Sequence, residues 1–190
     1  MRRTGIFVVL SSTVGLLVIG AATARLEAER ERARAREVIL WDDCDPTDAA
    51  WNPTGGCTLA EGTVTLAEFN EFRLSPLAPS LVGHPGWWFE PGLLTVEAGK
   101  NIQVRNAGGR VHTFTRVAQY GGGRVPPLNT SQEGIPPLTQ ASECLAPGVI
   151  DLPGGTKTVI EGLPPGDHRF QCCIHPWMRT LIKVKEPEED

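Results

Sequence analysis

The chain has 190 residues, five cysteines, four histidines and a formal net charge of −4. That length holds one domain with additions, and the negative balance excludes nucleic acid as the main partner. With 41% hydrophobic and 21% charged residues the chain is an ordinary folded one, and 21 glycines and 16 prolines punctuate it too often for a helical bundle.

In chain order, Arg2 and Arg3 precede a largely apolar stretch from Ile6 to Ala24 that ends in Ala22-Thr23-Ala24. This predicts a signal peptide or an uncleaved membrane anchor over 1–24, and both export the rest of the chain to a periplasmic or extracellular space. Residues 25–40 follow as a charged linker helix, in which Glu27/Arg30, Glu29/Arg32 and Glu31/Arg34 pair at helical spacing. Residues 41–85 read as an irregular extension packed on the main domain. Within it, Thr65 and Glu68 form a capping-box pattern, and Leu66, Phe69 and Phe72 predict a short helix over 66–73.

Beyond Gly86 the period changes to two. Leu94/Val96, Ile102/Val104, 111–116, 149–152, 158–160, 169–172 and 181–184 predict short strands separated by turns, the pattern of an antiparallel β-sandwich. In the segment 111–116, alternation sets Val111, Thr113 and Thr115 on one face and His112, Phe114 and Arg116 on the other. His84 and His168 read as surface histidines, and Trp87 and Trp88 as core or rim packing. The long segment 118–147 is expected to fold over one end of the domain.

An oxidising compartment lets cysteines pair, and an odd count leaves one thiol over. Cys44 and Cys57 bracket a turn-rich stretch and can close a small loop, and Cys144 can pair with Cys172 or Cys173. The segment Phe170-Gln171-Cys172-Cys173-Ile174-His175-Pro176-Trp177-Met178 contains Cys-x-x-His-x-x-Met. Thiolate, imidazole and thioether suit an ion that cycles between Cu(I) and Cu(II), and two histidines, one cysteine and a weak axial methionine make a blue-copper set. The second histidine must come from elsewhere, and His112, after the turn Asn106-Ala107-Gly108-Gly109-Arg110, is the natural source.

The segment 170–178 resembles the copper loop of the cupredoxins, with the short spacing of the amicyanins. The stretches 92–106 and 111–114 resemble the strand–turn–strand that delivers the first histidine ligand in plastocyanin-like proteins. The resemblance covers about 86–185. It implies an all-β, cupredoxin-like Greek-key β-sandwich over 86–190, carrying the irregular, partly helical extension. It also implies one type 1 copper ion on His112, Cys172, His175 and Met178, with His175 as the electron exit.

Cys172 and Cys173 are adjacent, so their sulfurs leave a strand on opposite faces. The loop spacing selects Cys172 as the ligand and leaves Cys173 for Cys144 or as a buried thiol. A zinc set of Cys144, Cys172, Cys173 and His175 is the metal rival, and a Cys–His nucleophile the catalytic one. No His-x-His pair is present, which speaks against a multicopper enzyme. The expected function is transfer of single electrons between redox protein partners by a monomeric soluble domain that is not itself an enzyme. Copper storage, delivery or sensing without electron transfer is the alternative.

Overall fold

Why the chain turns back into sheet so early is visible at Val38 and Leu40. The computed structural model describes residues 36–73, 83–129 and 138–187. Strand β1 (Glu37–Trp41) alternates, with Val38 and Leu40 fully buried. It lies between β2 (Trp88–Glu90), antiparallel, and β4 (Ile102–Asn106), parallel. Residues 37–40, expected at the end of the linker helix, are therefore a central strand, because a period-two apolar face outweighs the charge run beside it. The expected signal or anchor and the rest of the linker lie outside the described residues. Among the described residues no helix is long and apolar enough to cross a membrane.

The first sheet has the order β2-β1-β4-β8, with β8 (Lys157–Ile160) antiparallel to β4. The second runs β3-β10-β9-β6, from β3 (Leu93–Glu97), β10 (Arg179–Lys185), β9 (Gly166–Gln171) and β6 (Thr115–Val117). Strands β5 (His112–Thr113) and β7 (Asp151–Leu152) form a separate two-stranded pair. The protein is thus mostly β, with two four-stranded sheets. The pairs β1/β4 and β3/β10 are parallel, so the sandwich is mixed rather than purely antiparallel. Both parallel pairs join strands distant in sequence, which is what parallel pairing requires.

Leu40, Ile102, Val104 and Ile182 are all fully buried, and Phe114 stacks on Phe170 at 4.4 Å between ring centroids. Burying each such aliphatic side chain is worth about 1.5–3 kcal/mol. Phe114 sits where the chain leaves the β5/β7 pair for the second sheet. That switch breaks the simple alternation expected over 111–116. His112 and Thr113 are both buried, while Arg116 is exposed.

The extension and the strands that follow it lie in one compact unit from Arg36 on. Helix α1 (Leu66–Arg73) starts on the expected capping box. Thr65 Oγ1 accepts from the Glu68 N–H at 3.2 Å, and Glu68 Oε2 accepts from the Thr65 N–H at 2.8 Å. The helix delivers Phe69 into an aromatic cluster with Trp51 and Trp87, at 5.6 and 4.9 Å between centroids. Trp87 is core, and Trp88 is an exposed rim residue stacked on Trp41.

Two disulfides, Cys44–Cys57 and Cys144–Cys173, fasten the periphery and suit an oxidising, extracytoplasmic compartment. The second ties the segment after residue 138 to the end of β9, in a small cluster of Val117, Ala141, Cys144 and Cys173. Gly123 runs against this corner, where a β-carbon would strike the Cys173 carbonyl. Buried Gln171 holds the chain at Gly121, accepting from the Gly121 N–H at 2.9 Å and donating to its carbonyl at 3.2 Å.

Candidate metal centre

The connection between β9 and β10 is a closed loop of seven residues' length in sequence terms, 172–178, bounded by the Gln171–Arg179 pair. The Cys172 N–H donates to the Met178 carbonyl at 3.0 Å, and the Met178 N–H donates to the His175 carbonyl at 2.9 Å. These bonds turn Cys172 and His175 toward the same interior point. Met178, fully buried, closes the loop at its other end. His112 arrives from β5, outside that loop. Its approach is fixed by Thr113, whose Oγ1 accepts from the Cys173 N–H at 2.7 Å.

Three donor atoms converge. His112 Nδ1 and His175 Nδ1 are 3.2 Å apart, and each lies 3.8 Å from Cys172 Sγ. No other group of three or more such ligating side chains occurs among the described residues. An ion equidistant from the three atoms would lie roughly 2 Å from each, within the range of metal–nitrogen and metal–sulfur bonds. The donor set therefore fits a metal ion, and a soft thiolate with two imidazoles fits copper.

The thiolate is prepared in advance. Burial pushes the Cys172 thiol up, but hydrogen bonds from His112 and His175, with their charge, hold it well below the usual thiol range. The backbone N–H groups of Thr113 and His175 also point at Sγ, each at 3.4 Å. Cys172 is the only free cysteine of the five. Cys144 and Cys173 are bonded to each other, so the four-ligand zinc set is not formed. The opposed directions of Cys172 and Cys173 are as expected. One sulfur lies in the main core and the other in the cluster beneath the 118–147 segment.

His112 is held from behind. Its Nε2 lies 2.8 Å from Asp42 Oδ2, at the end of β1. Burial lowers His112, but Asp42 and the Cys172 thiolate raise it further, up to about 9. Burial also pushes Asp42 up, but the hydrogen bond and charge of His112 and the N–H groups of Arg110 and Gly109 bring it below the usual carboxylate value. Burial, the largest cause, lowers His175, against the pull of the Cys172 thiolate. A metal entering this site near neutral pH therefore displaces a proton from His112. That proton competes with the metal below about pH 9. Metal affinity is expected to rise about tenfold per pH unit toward that value and then level off. Titration calorimetry in buffers of different ionisation enthalpy reads the released proton directly.

The surroundings differ from expectation in one respect. Histidine ligands expected to face solvent or a partner are both inside, His112 fully and His175 with only 6% exposure. Aromatic rings from the extension, from Trp87 and from the loop itself surround His175. Its ring meets those of Trp177, Phe69 and Trp87 at 5.6, 6.1 and 6.4 Å between centroids. His84 is buried as well, not a surface residue. It packs on Phe69, Phe72 and Trp87 and accepts from the Gly86 N–H at 3.0 Å. Burial, with repulsion from His175, lowers it to about 4. His168 is likewise buried and donates from Nε2 to the Pro164 carbonyl at 2.7 Å. Their Pro- and Gly-rich neighbours read as exposed turns, but aromatic rings close over His84, and His168 lies within β9 against the Pro164 carbonyl. Asp42 went unnoticed in the sequence, where Asp42-Asp43-Cys44-Asp45 reads only as a turn.

No family model matches the chain, and no curated protein matches it. Solved structures do. The chain is similar in structure to the cupredoxins. The novel purple cupredoxin from Nitrosopumilus maritimus is 15% identical, with 56% of this chain and 90% of that one covered and a TM-score of 0.36. Amicyanin from Paracoccus versutus is 14% identical, with 51% and 72% covered and a TM-score of 0.32. A reduced amicyanin mutant is 17% identical, with 50% and 71% covered and a TM-score of 0.33. These scores are low, and the functional reading rests on the donor atoms of this chain rather than on its likeness to cupredoxins.

Proposed function

We propose that this chain is an exported electron carrier with one type 1 copper ion held by His112, Cys172, His175 and Met178. The observation that carries the reading is the convergence of His112 Nδ1, Cys172 Sγ and His175 Nδ1 on one buried point. Met178, fully buried at the end of the same loop, would supply a thioether to the ion.

Bound copper supplies a reversible one-electron couple. The chain's residues keep the ligand positions fixed through that change. The Met178–His175 and Cys172–Met178 backbone bonds brace the loop, and Thr113 locks it to His112. Packed rings of Phe69, Trp87 and Trp177 exclude water around His175 and carry the coupling outward to redox protein partners. Fixed geometry lowers the reorganisation that each electron transfer demands, and the dry surroundings set the potential. Such a centre carries electrons and performs no chemistry on a bound substrate, so the chain is read as a carrier and not an enzyme.

Storage, delivery or sensing is the second reading. A carrier of metal must release it, whereas both histidines here are buried and pre-set, which favours retention. The deciding experiment is voltammetry of the full chain loaded with Cu(II). Reversible cycling between Cu(II) and Cu(I), with slow loss of copper to a competing chelator, is the expected result. Copper that binds but never cycles, or exchanges within seconds, moves delivery or storage to the front.

A further inference from the structure

The group behind His112 is a carboxylate that several donors surround. Asp42 Oδ2 lies 2.8 Å from His112 Nε2 and accepts from the Arg110 N–H at 2.9 Å. Its Oδ1 accepts from the Gly109 N–H at 3.0 Å and from the Cys44 N–H at 3.4 Å. The side chains of Asp42 and His112 are both wholly shielded from solvent. A pocket has been shaped for it. The Gly108–Gly109 turn passes so close that a β-carbon on Gly108 would strike the carboxylate, and one on Gly109 would meet Cys44 Sγ. Asn106 holds the same turn open, donating to the carbonyls of Arg110 and Leu152 and accepting from the Gly108 N–H.

Three backbone N–H donors already point at this carboxylate, which leaves it no use for a proton of its own. It therefore takes the hydrogen of His112 Nε2, and Nδ1 is the ring nitrogen left for a metal beside Cys172 and His175. We infer that Asp42 is a positioning residue of the metal centre: it fixes the His112 tautomer and places a buried negative charge that favours the oxidised ion over the reduced one. The inference rests on the copper reading for the second half and on the structure of the chain alone for the first. It makes the extension part of the centre, since Asp42 sits at the end of β1 and not on the strands that bear the ligands. Carboxylate partners of this kind raise the basicity of a ligating histidine, and their loss commonly costs 10–100-fold in affinity or activity.

The test compares the copper-loaded full chain with its Asp42→Asn and Asp42→Glu variants. In Asp42→Asn the Cu(II)/Cu(I) equilibrium is expected to move about tenfold toward Cu(I), a rise of about 59 mV in a one-electron couple. Asp42→Glu, which keeps the charge, is expected to recover most of that shift. A residue that merely pinned the Gly108–Arg110 turn would lower thermal stability and leave the potential where it was. A folded Asp42→Asn protein with unchanged potential overturns the electrostatic half of the inference. Should that variant fail to fold, nuclear magnetic resonance of the wild-type chain loaded with Cu(I) tests the Asp42 contact. A slowly exchanging, strongly downfield proton on His112 Nε2, the mark of a carboxylate acceptor, is expected, and one that exchanges freely with solvent overturns the inference. A wild-type protein that shows no thiolate-to-Cu(II) absorption defeats the copper reading instead. The same Nε2 proton, sought in the zinc-loaded chain, then still tests the role of Asp42 toward His112.

Discussion

Replacing Cys172 with serine is expected to abolish the strong visible thiolate-to-Cu(II) absorption of the copper-loaded protein and to weaken copper binding by more than about 100-fold, beyond the range seen when only an outer partner is lost. The reason lies in what surrounds the sulfur. It is the single unpaired thiol of the chain, so no second cysteine can take its place. It is held as a thiolate by two histidines, with two backbone N–H groups aimed at it. A serine hydroxyl at that point stays neutral, since its proton is far harder to remove, and it is a hard oxygen where the soft ion prefers sulfur. The change in volume is small and no packing contact needs to move, so circular dichroism should show the fold intact. Absorption spectra of the two proteins at equal copper loading check the result. A band that persisted in the serine protein would mean that a different sulfur binds the metal.

The second large effect is expected from Trp87→Ala. Trp87 is 1% exposed and touches the rings of Trp51, Phe69, His84 and His175, the nearest at 4.6 Å between centroids. Truncating a buried aromatic of this size costs about 3–5 kcal/mol. In a chain of this length that lowers Tm by on the order of 10 °C. The effect should not stop at stability. Removing the indole opens the cover over His175 to water, so small soluble oxidants are expected to exchange electrons with the copper-loaded variant faster than with the wild type. Stopped-flow oxidation of the reduced proteins, run beside thermal melts, separates the two effects. A loss of stability with an unchanged oxidation rate would show that Trp87 packs the core without guarding the metal.

The ligand loop was legible because its chemistry is local. Cys172, His175 and Met178 lie within one short segment, and their spacing alone aims them together. His112 was found by a turn and a strand start. The short strands after Gly86 were readable from alternation, and helix α1 from Thr65 and Glu68. Strand β1 was lost because Val38 and Leu40 follow directly on a charge run, so that four residues of alternation had to compete with a longer helical pattern. Asp42 was illegible for a deeper reason. A carboxylate becomes a partner of the metal centre only when β1 pairs with β4 and the Gly108–Gly109 turn closes over it, and both contacts join residues more than sixty positions apart. The burial of His84 and His175 has the same origin, since the rings that cover them arrive from α1 and from Trp87.

Adjacent sulfurs with opposite fates give this protein a sorting problem during maturation. A chain oxidised before it folds offers Cys144 two candidate partners, Cys172 and Cys173, one residue apart. Choosing Cys172 would consume the sulfur that converges with His112 and His175. Choosing Cys173 lets Val117, Ala141 and the bridge pack as one cluster and leaves Cys172 beside His112 and His175. A soft metal ion seated between Cys172, His112 and His175 would shield from oxidation the one thiol that must stay free.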